Sequence, residues 1–163
     1  MNQTPNINPA LHGLSLDLGV SELHQAIHEI PIGDDDEQLT QVEVTGSAGQ
    51  DAVLMRLDHL IRIKMEGPLG DYAFAFNKQA DIRMTGDVGN GVAEGMVSGA
   101  VRVRGDAGVG AGAAMTGGTL AIYGNAGNRC GAAMRGGGIF VRGDVGDETG
   151  VGALGGMIVV GGD

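Results

Sequence analysis

From residue 41 onward, large apolar residues recur two apart in short bursts, with a charged residue between them in the first four, and each burst is followed by glycine within a few positions. The bursts are Val42-Glu43-Val44, Ile63-Lys64-Met65, Ile82-Arg83-Met84, Val101-Arg102-Val103, Leu120-Ala121-Ile122, Ile139-Phe140-Val141 and Ile158-Val159-Val160. Alternation over so few residues is the pattern of a strand with one buried face, because successive side chains point to opposite sides. Gly67, Gly86, Gly105, Gly124, Gly143 and Gly162 stand 19 residues apart without a slip, and the row ending at Gly46 precedes them by 21. A fixed period near 20 with one strand per repeat marks a solenoid. The unit is too short for a strand plus a helix, and no row carries a leucine-rich signature, so each repeat reads as a coil of short strands turned at glycine corners. Stacked coils form parallel sheets, and the handedness of parallel crossovers predicts a right-handed coil. The expected fold is all-β: a right-handed single-stranded parallel β-helix of about seven coils over residues 41–163.

Residues 1–40 read differently. They form an N-terminal arm, a short helix and an acidic loop that together cap the solenoid. Ser21 is placed to N-cap the helix, Leu23, Ile27 and Ile30 share its apolar face, and Pro31 stops it. Residues 1–13 read as an unstructured arm, and Gly33-Asp34-Asp35-Asp36-Glu37 as a solvated loop.

Composition sharpens this picture. Glycine supplies 32 of 163 residues, aromatics are 3% and tryptophan is absent, so the interior must be filled by small residues stacked at regular spacing. Collagen is excluded because glycine does not recur every third residue. The glycine corners are expected to need positive φ and close approach between coils. Ten basic residues against 20 acidic ones give a net charge of −10, which disfavours nucleic acid and anionic membrane as partners. The single cysteine, Cys130, forbids an intrachain disulfide and makes a cytoplasmic setting the default. The N-terminal stretch lacks the basic and apolar regions of a secretory leader, and no apolar run approaches the ~18 residues of a membrane span.

Candidate chemistry is sparse. Asp87, Asp106, Asn125, Asp144 and Asp163 follow the corner glycines in one column and read as a ladder capping corner amides, rather than as calcium ligands. Of the four histidines, His12, His24, His28 and His59, only His24 and His28 show a metal-like spacing, four apart on the short helix; without the glutamate of a zinc-protease motif or an evident third ligand, all four read as surface histidines. Cys130 shares a column with Val92 and Ala111 and reads as a small packed residue. Met96, Met115 and Met134 read as a core ladder. No catalytic, cofactor-binding or metal-binding residue is assigned. The outward face of the strands is the exception to this blandness. Arg62, Lys64, Arg83, Arg102, Arg104 and Arg142 fall on the solvent side of one strand column, and Ala121, Phe140 and Val159 replace cations farther along. This is the candidate partner face. Its alternative is a solvated surface neutralised by Glu66 and the corner aspartates.

The segments Gly91-VAEGMVS-Gly99, Gly117-GTLAIYGNAGNRC-Gly131 and Met134-x-Gly-Gly carry a resemblance. They are similar to the GXGXG family, which includes the C-terminal domain of the glutamate synthase large subunit and a β-helical component of formylmethanofuran dehydrogenase. The likeness covers about residues 40–163 and is greatest to stand-alone glutamate-synthase-like subunits. It implies a right-handed β-helix that is a non-catalytic spacer. The partners it implies are a type II glutaminase subunit and an FMN-dependent synthase subunit with an iron–sulfur cluster. The nucleophile, flavin and cluster ligands would sit on those partners. N-methylglutamate formation from methylamine and glutamate is one activity of such a complex. A formylmethanofuran dehydrogenase-type component and a free-standing β-helix adaptor are the other readings.

Overall fold

The computed structural model describes residues 12–32 and 39–163. Eight strands stack in sequence order into one parallel sheet: β1 (His12–Ser15), β2 (Gln41–Thr45), β3 (Arg62–Glu66), β4 (Asp81–Thr85), β5 (Ala100–Arg104), β6 (Thr119–Ile122), β7 (Gly138–Val141) and β8 (Met157–Val160). A 3-10 turn (Leu16–Leu18) and helix α1 (Val20–His28) separate β1 from β2. The chain is a parallel β-solenoid of about six turns. Gln41 pairs with Arg62, 21 residues on; from Arg62 to Asp81 and beyond, every partner lies 19 residues on. A second side of each coil is joined by isolated parallel bridges linking Leu69, Val88, Ala107, Ala126 and Val145 in turn.

The alternating bursts do what their period requires. Ile63, Met65, Ile82, Met84, Val101, Val103, Leu120, Ile122, Ile139 and Val141 are all buried, while the residues between them face outward. Met96, Met115 and Met134 are buried in their shared column, which is headed by the buried Asn77. The Asn77 amide nitrogen donates to the carbonyls of Ala80 (3.0 Å) and Ser98 (3.2 Å), so the polar group closes a corner instead of packing as methionine does.

The N-terminal third departs from expectation in two places. His12 and Gly13 belong to β1, which pairs with β2, instead of to an arm; Leu14 lies in the sheet over Val44. The helix begins at Val20 with Gly19 as its N-cap, so Ser21 is inside the first turn and caps nothing; it is Ser15 that accepts from the Asp17 amide, at 3.1 Å. The helix closes at Glu29, before Pro31. Leu23, Ile27 and Ile30 are buried as their spacing requires and, with Leu16, join the same core as the solenoid interior. Residues 1–11 and the loop Gly33-Asp34-Asp35-Asp36-Glu37 lie outside the described residues.

The corner glycines serve a purpose narrower than expected. Of the six in the 19-residue column, only Gly86 has positive φ (125°). The others are required by proximity. A Cβ on Gly124 would lie 2.5 Å from the Gly105 carbonyl oxygen, and one on Gly143 would lie 2.6 Å from that of Gly124. Adjacent coils there touch backbone to backbone, closer than a methyl group permits.

Left-handed backbone is concentrated instead in the opposite turn. Tyr72, Phe74 and Phe76 have φ of 59°, 60° and 57°, and the equivalent Gly91, Ala93 and Gly95 have 72°, 55° and 66°. Alternate residues point their amides to opposite neighbours. Gly91 donates to Val109 O (2.8 Å) and Gly95 to Ala113 O (2.7 Å) in the following coil, whereas Ala93 donates to Ala73 O (2.9 Å) in the preceding one. Left-handed conformations at non-glycine residues cost about 1 kcal/mol each, and the hydrogen bonds they enable to both neighbouring coils offset that cost.

Two side-chain ladders lock the outer corners. Asp87, Asp106, Asn125 and Asp144 each accept, at 2.8–2.9 Å, from the backbone amide one coil ahead in their own column. A parallel ladder runs through Asp51, Asp71, Asn90 and Asn128, with Val109 interrupting it. The first was legible in the 19-residue column; the second follows the same spacing and was missed.

Candidate interaction face

The outward sheet face consists of three columns, not the one expected. Column positions follow the strand register. The first runs Gln41, Arg62, Asp81, Ala100, Thr119. The second runs Glu43, Lys64, Arg83, Arg102, Ala121, Phe140, Val159. The third carries Glu66, Thr85 and Arg104, and its 19-residue spacing continues to Tyr123 and Arg142 just past the strand ends. All six cations expected on this face are there. Lys64, Arg83 and Arg102 stack directly, Arg62 stands on one side of them, and Arg104 and Arg142 on the other.

Neutralisation does not come from Glu66 or the corner aspartates. It comes from Asp81, which sequence reasoning passed over. The Asp81 carboxylate accepts from Arg62 Nε at 3.1 Å and lies 3.5 Å from Arg83 Nη2. Asp81 sits opposite Arg62 in the strand register, so the 19-residue spacing already contained the signal. Among the described residues, Lys64, Arg102, Arg104 and Arg142 form no ion pair within 4.0 Å. Arg104 instead holds its guanidinium 5.7 Å from the centre of the Tyr123 ring, a cation–π contact. Arg62, Lys64, Arg83, Arg102, Arg104 and Tyr123 line an open groove of about 360 Å³. Toward β8 the groove gives way to a shallow apolar surface of Ala121, Tyr123, Phe140 and Val159, in which Phe140 is 40% and Val159 44% exposed.

Like charges at the ~4.8 Å rung spacing repel by about 1 kcal/mol per pair in water. The column keeps three of them in a row on a chain whose net charge is −10. What this surface offers chemically is a set of charged and bidentate donors for carboxylates beside an aromatic and aliphatic patch.

The other candidates resolve as packing. Cys130 is fully buried with Val92 and Ala111, and burial pushes its thiol up to about 11, which keeps it protonated. His59 is buried rather than on the surface: its Nε2 donates to the Ile30 carbonyl at 2.7 Å, tying the end of α1 to the coil below. Its ring lies 5.6 Å from that of His28, which lies 4.5 Å from that of His24. The pKa of His24 is lowered, first by burial and then by His28, against the pull of the Arg56 and Met55 backbone. Among the described residues, no group of three or more His, Cys, Asp or Glu is placed to hold a metal ion, and no helix is long and apolar enough to cross a membrane.

The chain is thus a parallel β-solenoid with a cationic sheet face that grades into an apolar one. Set against family models, curated proteins and solved structures, it matches none.

Proposed function

We propose that the chain is a non-catalytic scaffold subunit that docks an acidic partner through its sheet face. The observation that carries this reading is the set of cations Lys64, Arg102 and Arg104, without an ion-pair partner among the described residues, on a protein of net charge −10 and continuous with exposed Tyr123, Phe140 and Val159. Complementary charge steers association and fixes register, and an apolar patch beside it supplies the area that interfaces bury. The GXGXG resemblance supports a particular assembly. In it, the chain bridges a type II glutaminase subunit and an FMN-dependent synthase subunit that holds an iron–sulfur cluster, for N-methylglutamate formation from methylamine and glutamate. In this reading the chain itself holds neither flavin nor cluster and works in the cytoplasm.

Purification of the tagged chain from its native host, with identification of bound proteins and flavin, tests the assembly. The expected result is co-purification of a glutaminase and a flavoprotein, with FMN on the latter. Stoichiometric FMN on the purified single chain, or a molybdopterin protein in place of the flavoprotein, overturns it.

A further inference from the structure

The size and grading of the sheet face narrow what it receives. From Lys64 on β3 to Val159 on β8 the second column crosses six rungs. At about 4.8 Å per rung it is roughly 24 Å long, and strands of four or five residues make it roughly 15 Å wide. The flat area is then about 360 Å², less than half of the ~800 Å² that each partner contributes to a standard globular interface. The face is long, narrow and graded along its length. The β3–β5 half carries Lys64, Arg83, Arg102 and Arg104, while the β6–β8 half carries Ala121, Tyr123, Phe140 and Val159, with Arg142 as its one cation at the edge. Nucleic acid fits poorly, since the β6–β8 half offers phosphates only Arg142 and the chain as a whole repels them.

Resting on the docking reading above, we propose that the occupant is a single extended segment of a partner chain lying along the solenoid axis. About seven residues at ~3.3 Å each span the face. The segment is carboxylate-rich where it crosses Lys64, Arg83, Arg102 and Arg104, and apolar where it crosses Tyr123, Phe140 and Val159. Arg102 and Arg104 stand two residues apart on one strand and flank such a segment from two columns. Arg62 and Arg83 are already engaged by Asp81, which holds the upstream edge of the cationic half in place. Tyr123, at the junction, holds its ring near the Arg104 guanidinium and is 41% exposed.

The test uses the full chain and two synthetic octapeptides, Asp-Glu-Asp-Glu-Leu-Phe-Val-Leu and its reverse, so that either chain direction is sampled. A third peptide has the same composition with acidic and apolar residues alternating. Amide chemical-shift titration reads both affinity and location. One block peptide is expected to bind with a dissociation constant below about 1 mM and to shift amides of β3–β8. The alternating peptide should bind at least about fivefold more weakly, and Arg102→Glu with Arg104→Glu, or Phe140→Asp alone, should weaken the block peptide roughly tenfold. The spectral dispersion of each variant confirms that it is folded. Equal binding of block and alternating peptides overturns the proposal, as does the absence of shifts in β3–β8. Binding to phosphatidylserine vesicles in preference to the peptides overturns it too. If the peptides fail while charge reversal still disrupts the native assembly, the docking reading stands and the extended-segment proposal falls.

Discussion

Replacing Gly124 by alanine isolates the packing constraint on which the solenoid depends. Gly124 has an ordinary negative-φ or extended backbone, so alanine meets no conformational penalty there. Its Cβ, however, would lie 2.5 Å from the Gly105 oxygen and 2.8 Å from the Gly105 carbonyl carbon. The nearest atom is Asp106 Oδ1, a side-chain oxygen that can turn aside, but the Gly105 carbonyl is backbone and cannot, so relief to an ordinary contact near 3.2 Å requires the two coils to part by about 0.7 Å. The seam is held by Gly124 N to Gly105 O at 3.0 Å and by Asn125 N to Asp106 Oδ1 at 2.8 Å. Overpacking costs about 1–3 kcal/mol, and weakening the two bonds adds up to about 1 kcal/mol, so roughly 3 kcal/mol is expected. Gly110 is the control. Its φ is +75° and an added Cβ meets nothing within 4 Å, so alanine there costs only the left-handed backbone term, about 1 kcal/mol. With a urea m-value of about 2 kcal/mol/M, the midpoints should fall by about 1.5 M for Gly124→Ala and about 0.5 M for Gly110→Ala. Equal shifts, or a Gly124→Ala midpoint within about 0.25 M of the parent, would refute the backbone-contact argument.

The amide ladder gives a milder effect. Asp106→Ala removes the acceptor for the Asn125 amide and should cost about 1 kcal/mol in urea titration, whereas Asp106→Asn, which reproduces the Asn125 rung, should be close to neutral. The histidine stack makes the N-terminal cap acid-sensitive. Because the folded-state pKa of His24 lies below its ordinary value of 6.5, the unfolded chain takes up the proton first, so stability is full above 6.5 and drains as pH falls from there through the lowered folded-state pKa. Thermal midpoints should drop over that window, and His24→Gln should reduce the drop; an unchanged slope in the variant contradicts the assignment. Cys130, with its thiol near 11 and fully buried, should react with a disulfide reagent at about pH 7.5 only as fast as the chain opens, and a rapid stoichiometric reaction in the native protein contradicts its placement.

The solenoid was readable because its strands repeat without a slip. The 19-residue spacing placed the inward pair of each burst, the methionine ladder and the aspartate ladder together, since each column is one position multiplied by the period. What the column logic could not provide was local. Two kinds of glycine look alike in sequence: Gly124 exists for lack of room and Gly110 for its φ, and only the distance to the neighbouring coil separates them. The left-handed turn at Tyr72, Phe74 and Phe76 carries no glycine at all, because backbone hydrogen bonds to both neighbouring coils outweigh the local preference. β1 was missed for the opposite reason. It lies outside the period, separated from β2 by α1, so nothing aligned it with the rows that follow. On the sheet face, the cations were found, but reading alternate residues as one column merged three. Asp81 then escaped notice although it pairs with Arg62 in register.

The central claim is that this chain joins partners through its cationic sheet face and performs no chemistry itself. Its most direct measurement is the affinity for the co-purifying partner across a salt series, for the parent chain and for Arg83→Glu with Arg102→Glu, with amide spectra confirming the fold of both. The account predicts that the parent binds more weakly as salt rises, that the double variant binds roughly tenfold or more weakly at low salt, and that its salt slope is flattened. Unchanged affinity with an unchanged salt slope would remove this face from the interface and contradict the account.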